Sequence, residues 1–145
     1  MLEYKKSLKN VGQEVLMNNI YNIALSGMNA ASQRMLGAAQ NIANMSTSGA
    51  VSGAPAPYRP VDVISVSAGA GQGVTTQTVS RDPAYNVIYD PQSPFANDKG
   101  LVAQPNVDLT ASIVDTIMAR IAYQANAKVI EVAREKDQQL LNILR

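Results

Sequence analysis

The sequence predicts an α+β chain: long N- and C-terminal helices packed as an antiparallel coiled-coil-like pair, with a small antiparallel β region of about three strands between them. Three observations carry this. Apolar residues recur at helical spacing from Asn18 to about Met45 and again from about Val107 to Leu144. The stretch between is rich in Gly, Pro, Ser and Thr and holds short β-like runs. Each helical end carries an Ala-Asn element at a matching point, Asn41-Ile42-Ala43-Asn44 in the first and Tyr123-Gln124-Ala125-Asn126 in the second. The division expected is an extension over residues 1–16, a helix over 17–46, a loop and hairpin region over 47–106, and a second helix over 107–145.

In the first helix Tyr21, Met28, Met35 and Ile42 recur every seven residues, and Ala24, Ala31 and Ala38 widen the stripe on one side. Asn18 or Asn19 is placed to cap its start, and Gly49 lies just past its end. Residues 46–60 form a loop by composition. Val61–Val66 and Val74–Val79 flank Gly69, Gly71 and Gly73, which reads as a β-hairpin with a glycine-rich tip. Tyr85–Tyr89, bracketed by Asp82-Pro83 and Asp90-Pro91, reads as a third strand, and residues 90–106 as loop again. The second helix carries a long stripe through Leu109, Ile113, Ile117, Ile121, Ala125, Val129 and Val132, with Asp108 in its first turn. Two such helices alone make a thin core, so backbone entropy of about 1–2 kcal/mol per residue favours a chain that packs against neighbours.

Composition removes whole classes of function. The 145 residues include no cysteine and no histidine, which excludes disulfides, thiolate metal sites, His-ligated zinc and histidine-based catalytic triads. Net charge is +1 and aromatics are 5%, so nothing draws the chain to nucleic acid. No apolar run is long enough to span a membrane, and residues 1–16 lack the apolar core of a secretory signal. Met17 serves equally well as a start.

The glycine cluster from Gly69 to Gly73 lacks the Lys-Ser/Thr of a phosphate loop and is read as a turn. Asp82, Asp90 and Asp98 form no calcium-loop pattern, and two of them precede prolines as turn starters. No cofactor, metal, catalytic residue or small-molecule substrate is expected. Asn41 and Asn44 differ from these. Three residues apart, they share a helix face, and their amides suit either a helix terminus or the fixing of register between packed helices.

At these residues the chain resembles the axial proteins of the bacterial flagellum. Their N-terminal signature, Asn-Leu-Ala-Asn-x-x-Thr-x-Gly, is matched by Asn41-Ile42-Ala43-Asn44-Met45-Ser46-Thr47-Ser48-Gly49. Tyr58-Arg59, Asp82-Pro83, Tyr89-Asp90-Pro91, Lys99-Gly100, Pro105-Asn106-Val107 and the Tyr123-Gln124-Ala125-Asn126 element resemble, in order and spacing, the C-type proximal-rod proteins of the basal body. The resemblance covers residues 18–145; residues 1–16 have no counterpart, and the family's aromatic after Gly49 is replaced by Ala50.

What the resemblance implies is a structural subunit of the proximal rod, polymerising with itself and with other rod subunits into a helical drive shaft that transmits torque. It implies export by the flagellar type III apparatus without a cleaved signal, and a periplasmic location in the basal body. It also tips Asn41 and Asn44 toward assembly contacts, together with Thr47, Tyr58, Asn106, Tyr123, Gln124 and Asn126. The alternatives are another rod or hook-family axial protein or, from a different class, a soluble coiled-coil adaptor or export chaperone.

Overall fold

A computed structural model describes the backbone of residues 2–69 and 71–143, with side chains from Asn18 onward, so the predicted helical turn at Leu144 lies outside the described residues. The elements run α1 (Leu2–Asn44), β1 (Val61–Ser67), β2 (Val74–Ser80), β3 (Tyr85–Tyr89), β4 (Leu101–Pro105) and α2 (Leu109–Ile143). Helices flank antiparallel strands, which is the expected α+β class, but the strands number four and form two separate two-stranded sheets, β1-β2 and β3-β4.

Three local expectations are corrected. Asn18 and Asn19 do not cap α1, because the helix begins at Leu2. Residues 2–17 contain no proline and are mostly Leu, Lys, Glu, Gln and other residues compatible with a helix, so nothing stops it earlier. Asp108 sits one residue ahead of the first turn of α2 and caps it: its Oδ1 accepts the Ala111 N–H at 3.0 Å. Finally, β4 occupies part of the expected loop. Tyr85 pairs with Pro105 and Tyr89 with Leu101. Pro105 is tolerated because it ends the strand, where its missing N–H removes little of the ladder.

By compactness the chain forms two units, Met1–Ser32 with Ser65–Thr75 and Arg120–Arg145, and Gln33–Ile64 with Thr76–Ala119. In the first, α1 and α2 pack antiparallel. The Tyr21 hydroxyl donates to Asp137 at 2.8 Å, and further along α1 Gly27 lies against Asn126. The tip between β1 and β2 turns through Gly69, Gly71 and Gly73, all at positive φ. It docks on α1 where the Val74 N–H donates to Ser26 Oγ at 3.1 Å. In the second unit β4 supplies the deepest core, with Val102 and Ala103 fully buried. Gly37 of α1 lies against Val63 and Val61 of β1.

The buried lines of the helices are those of the small residues. On α1 Ala24, Ala31 and Ala38, spaced by seven, are buried, while Tyr21, Met28, Met35 and Ile42 are half-buried. On α2 a second seven-residue line, Ser112, Ala119, Asn126 and Ala133, is buried except for the half-buried Asn126. The period is that of a coiled-coil seam. Small side chains let the backbones approach, so the larger ones flank the seam or turn outward.

Candidate assembly surfaces

The axial signature at the end of α1 works first within the subunit. Asn41 is 3% exposed and its amide serves as a surrogate strand for Val61 at the start of β1. Its Nδ2 donates to the Val61 carbonyl at 2.8 Å, and its Oδ1 accepts the Val61 N–H at 2.9 Å. The same Oδ1 accepts the Tyr58 hydroxyl at 3.1 Å. A buried amide offers both a donor and an acceptor in one plane, which is what an open strand end requires. Burial pushes the Tyr58 hydroxyl above the ordinary tyrosine range. The closing glycine of the signature is also occupied: Gly49 exchanges two backbone hydrogen bonds of 2.9 Å with Ala103 of β4. A Cβ there would run into the Ala56-Pro57 backbone.

Asn106 anchors a second point of the same unit. Its Nδ2 donates to the Pro83 carbonyl at 3.0 Å and its Oδ1 accepts from Asn86 at 3.2 Å. Its own N–H donates to the Ala84 carbonyl at 3.0 Å, and its carbonyl accepts from Arg81 at 3.1 Å. Arg81 was not singled out from sequence. It holds Asp62 by a two-pronged ion pair through Nε and an NH2 group, and this hydrogen-bonded carboxylate raises its already high pKa. Its N–H also donates to the Pro60 carbonyl at 2.8 Å. An arginine ending one strand of a predicted hairpin, with an aspartate starting the other, was the available signal.

The remaining expected residues are dispersed. Asn44 donates back to the Gln40 carbonyl at 2.9 Å, while Thr47 is exposed beyond the helix end. Tyr123 and Gln124 are exposed on α2, and Asn126 donates to the Ala122 carbonyl at 2.8 Å. The structure therefore joins Asn41 with Tyr58, links Asn106 through Arg81 to the residues flanking Val61, and leaves Thr47, Tyr123 and Gln124 facing outward.

What faces outward on α2 is unusually apolar. Ile113, Val114, Ile117 and Met118 are about half exposed, with Ile117 at 52% and Met118 at 55%. They lie on the opposite side of the helix from Ser112 and Ala119. In the other unit an open groove of about 500 Å³ is lined by Ile20, Ala125, Val129, Val132 and Ala133 and rimmed by Lys128 and Lys136. Among the described residues no cluster of His, Cys, Asp or Glu is arranged to hold a metal, and no helix is long and apolar enough to cross a membrane. A run of exposed aliphatic side chains opposite a seam of small ones marks a face suited to packing against a neighbour.

The chain is similar to known proteins. Residues 99–143 match the family described as flagellar basal body rod FlgEFG protein C-terminal. The flagellar basal-body rod protein FlgC of Yersinia enterocolitica is 39% identical over 121 residues, covering 80% of this chain and 89% of that protein. The FlgC of Buchnera aphidicola subsp. Acyrthosiphon pisum is 35% identical over 130 residues, covering 86% and 96%. That of Bacillus subtilis is 32% identical over 132 residues, covering 78% and 88%. Similarity at this level across nearly the full length of such relatives means that the chain belongs to the FlgC family of flagellar basal-body rod proteins.

Proposed function

We propose that the chain is a structural subunit of the flagellar basal-body rod, polymerising with copies of itself and with other rod subunits into the shaft that transmits torque. It reaches the periplasm unfolded through the flagellar type III export apparatus. It acts on no small molecule and binds no nucleic acid. Family membership supports the class of function, and one structural observation carries the mode: α2 buries its Ser and Ala line and exposes its large aliphatic line. A helix that packs inside the chain through small residues keeps its larger apolar area for neighbours. The contact is heterologous, because a surface that meets a different surface on the next copy extends along an axis.

The residues of the axial signature divide between two roles in this reading. Asn41, Tyr58 and Asn106 shape the subunit that the neighbours receive. Asn44, Thr47, Tyr123 and Gln124 are available to touch those neighbours. Replacing Ile117 with Glu tests the proposal in cells that lack their own copy of this subunit. The variant should be exported at the wild-type level, and rods and swimming should be lost. Normal swimming by Ile117→Glu would overturn the reading of this face.

A further inference from the structure

We propose that Gly27 and Asn126 form a steric key that sets the spacing and register of α1 against α2, so that Asn126 acts on assembly through Gly27 rather than by touching another subunit. The inference rests on the reading of the chain as a rod subunit. It concerns the one place where the seam of small residues is broken. Ser112, Ala119 and Ala133 on the α2 line are small, and Asn126 is its only large member. The residue facing Asn126 from α1 is the half-buried Gly27, whose buried neighbours on α1 in this unit, Ala24, Ala30 and Ala31, are all alanines.

The fit leaves no slack. A Cβ built on Gly27 would meet the Asn126 Oδ1 at 2.7 Å and its Cγ and Nδ2 at 2.8 Å, distances at which something must move. The Asn126 amide has little freedom to swing away, because its Nδ2 donates to the Ala122 carbonyl one turn back at 2.8 Å. An asparagine in a helix interior is disfavoured, and this bond to its own backbone holds the side chain against the helix as a fixed protrusion. A helix sliding by one turn would set the protrusion against Ala24, Ala30 or Ala31, which are buried and have a Cβ where Gly27 has none. The key therefore favours one register among several that a repetitive alanine seam would otherwise accept.

The experiment is a double-mutant rescue in cells lacking their own copy of the subunit, scored by export into the periplasm, rod assembly and swimming. Gly27→Ala should be exported normally and should lower assembled rods at least tenfold. Adding Asn126→Ala to Gly27→Ala should restore most of the loss, because the smaller side chain clears the new methyl group. Asn126→Ala alone should assemble with a modest defect. Two results overturn the proposal: a double variant no better than Gly27→Ala, or an Asn126→Ala chain as defective as Gly27→Ala. The purified chains give an independent reading. Overpacking at Gly27 should lower the unfolding midpoint by on the order of 5 °C, recovered in the double variant. If the wild-type chain itself fails to support rods, the functional reading fails, and the midpoints still decide the key.

Discussion

Replacing Asn41 with Ala removes the partner of a strand end without touching the strand. Three hydrogen bonds go at once, two to the Val61 backbone and one from Tyr58. Each partner left behind is partly buried, so water compensates in part and each loss costs about 1 kcal/mol. The sum is about 3 kcal/mol, which for a chain of this length lowers the thermal midpoint by about 6–12 °C. Tyr58→Phe serves as the reference, since it removes one of the three bonds and should cost about 1 kcal/mol. Thermal unfolding followed by circular dichroism measures both, and amide exchange at Val61 localises the effect. Faster exchange at Val61 in Asn41→Ala, with little change in Tyr58→Phe, is expected. If Asn41→Ala is no more destabilising than Tyr58→Phe, Asn41 is not a latch on β1.

Three further outcomes are expected. Tyr58 should ionise at higher pH than a free tyrosine; its neutral form is favoured by the fold, so its contribution is complete below about pH 10 and is lost as pH rises through the raised folded value. Alkaline unfolding should accordingly be shallower in Tyr58→Phe, and equal slopes would contradict the assignment. Arg81→Lys should cost about 1 kcal/mol despite keeping the charge, because an ammonium cannot hold Asp62 with two prongs while also reaching the Asn106 carbonyl; chemical denaturation compares it with wild type. Gly71→Ala meets open space and should cost only the positive-φ strain of about 1 kcal/mol, whereas Gly73→Ala adds a clash with Ser26 and should cost about 3 kcal/mol. Equal unfolding midpoints for the two variants would count against the docking of the hairpin tip on Ser26.

The helical ends and the glycine-tipped hairpin were legible because each follows from a local rule, a period or a breaker. Strand β4 was hidden because Gly100 and Pro105 bracket only Leu101–Gln104, and its place depends on pairing with β3, which no local pattern states. The direction of the helices was half legible. The seven-residue period is plain in the sequence, but size singles out Met28 and Met35, or Ile113 and Ile117, while the structure buries Ala24, Ala31 and Ala38 on α1 and Ser112 and Ala119 on α2. Hydrophobic periodicity assumes that the largest apolar residues go inside, an assumption that fails where a helix also has neighbours to meet. Asn41 could be flagged by spacing, yet its partners lie about twenty residues onward, at a distance in sequence that no helix-face argument reaches. The Arg81–Asp62 pair required knowing that the two strand ends lie side by side.

The latch at Asn41 also bears on the order in which the chain can fold. Its bond to Val61 closes a loop of 20 residues, whereas the Tyr21–Asp137 bond between the helices spans 116. By chain statistics alone the longer closure costs about 1.5 kcal/mol more. It also has to wait until Asp137 is available, while the shorter one needs the chain only as far as Val61. A chain delivered from its N-terminus would thus acquire its β1 anchorage early and its helix seam last. The helices would stay open to a neighbour for as long as their own partner had yet to arrive.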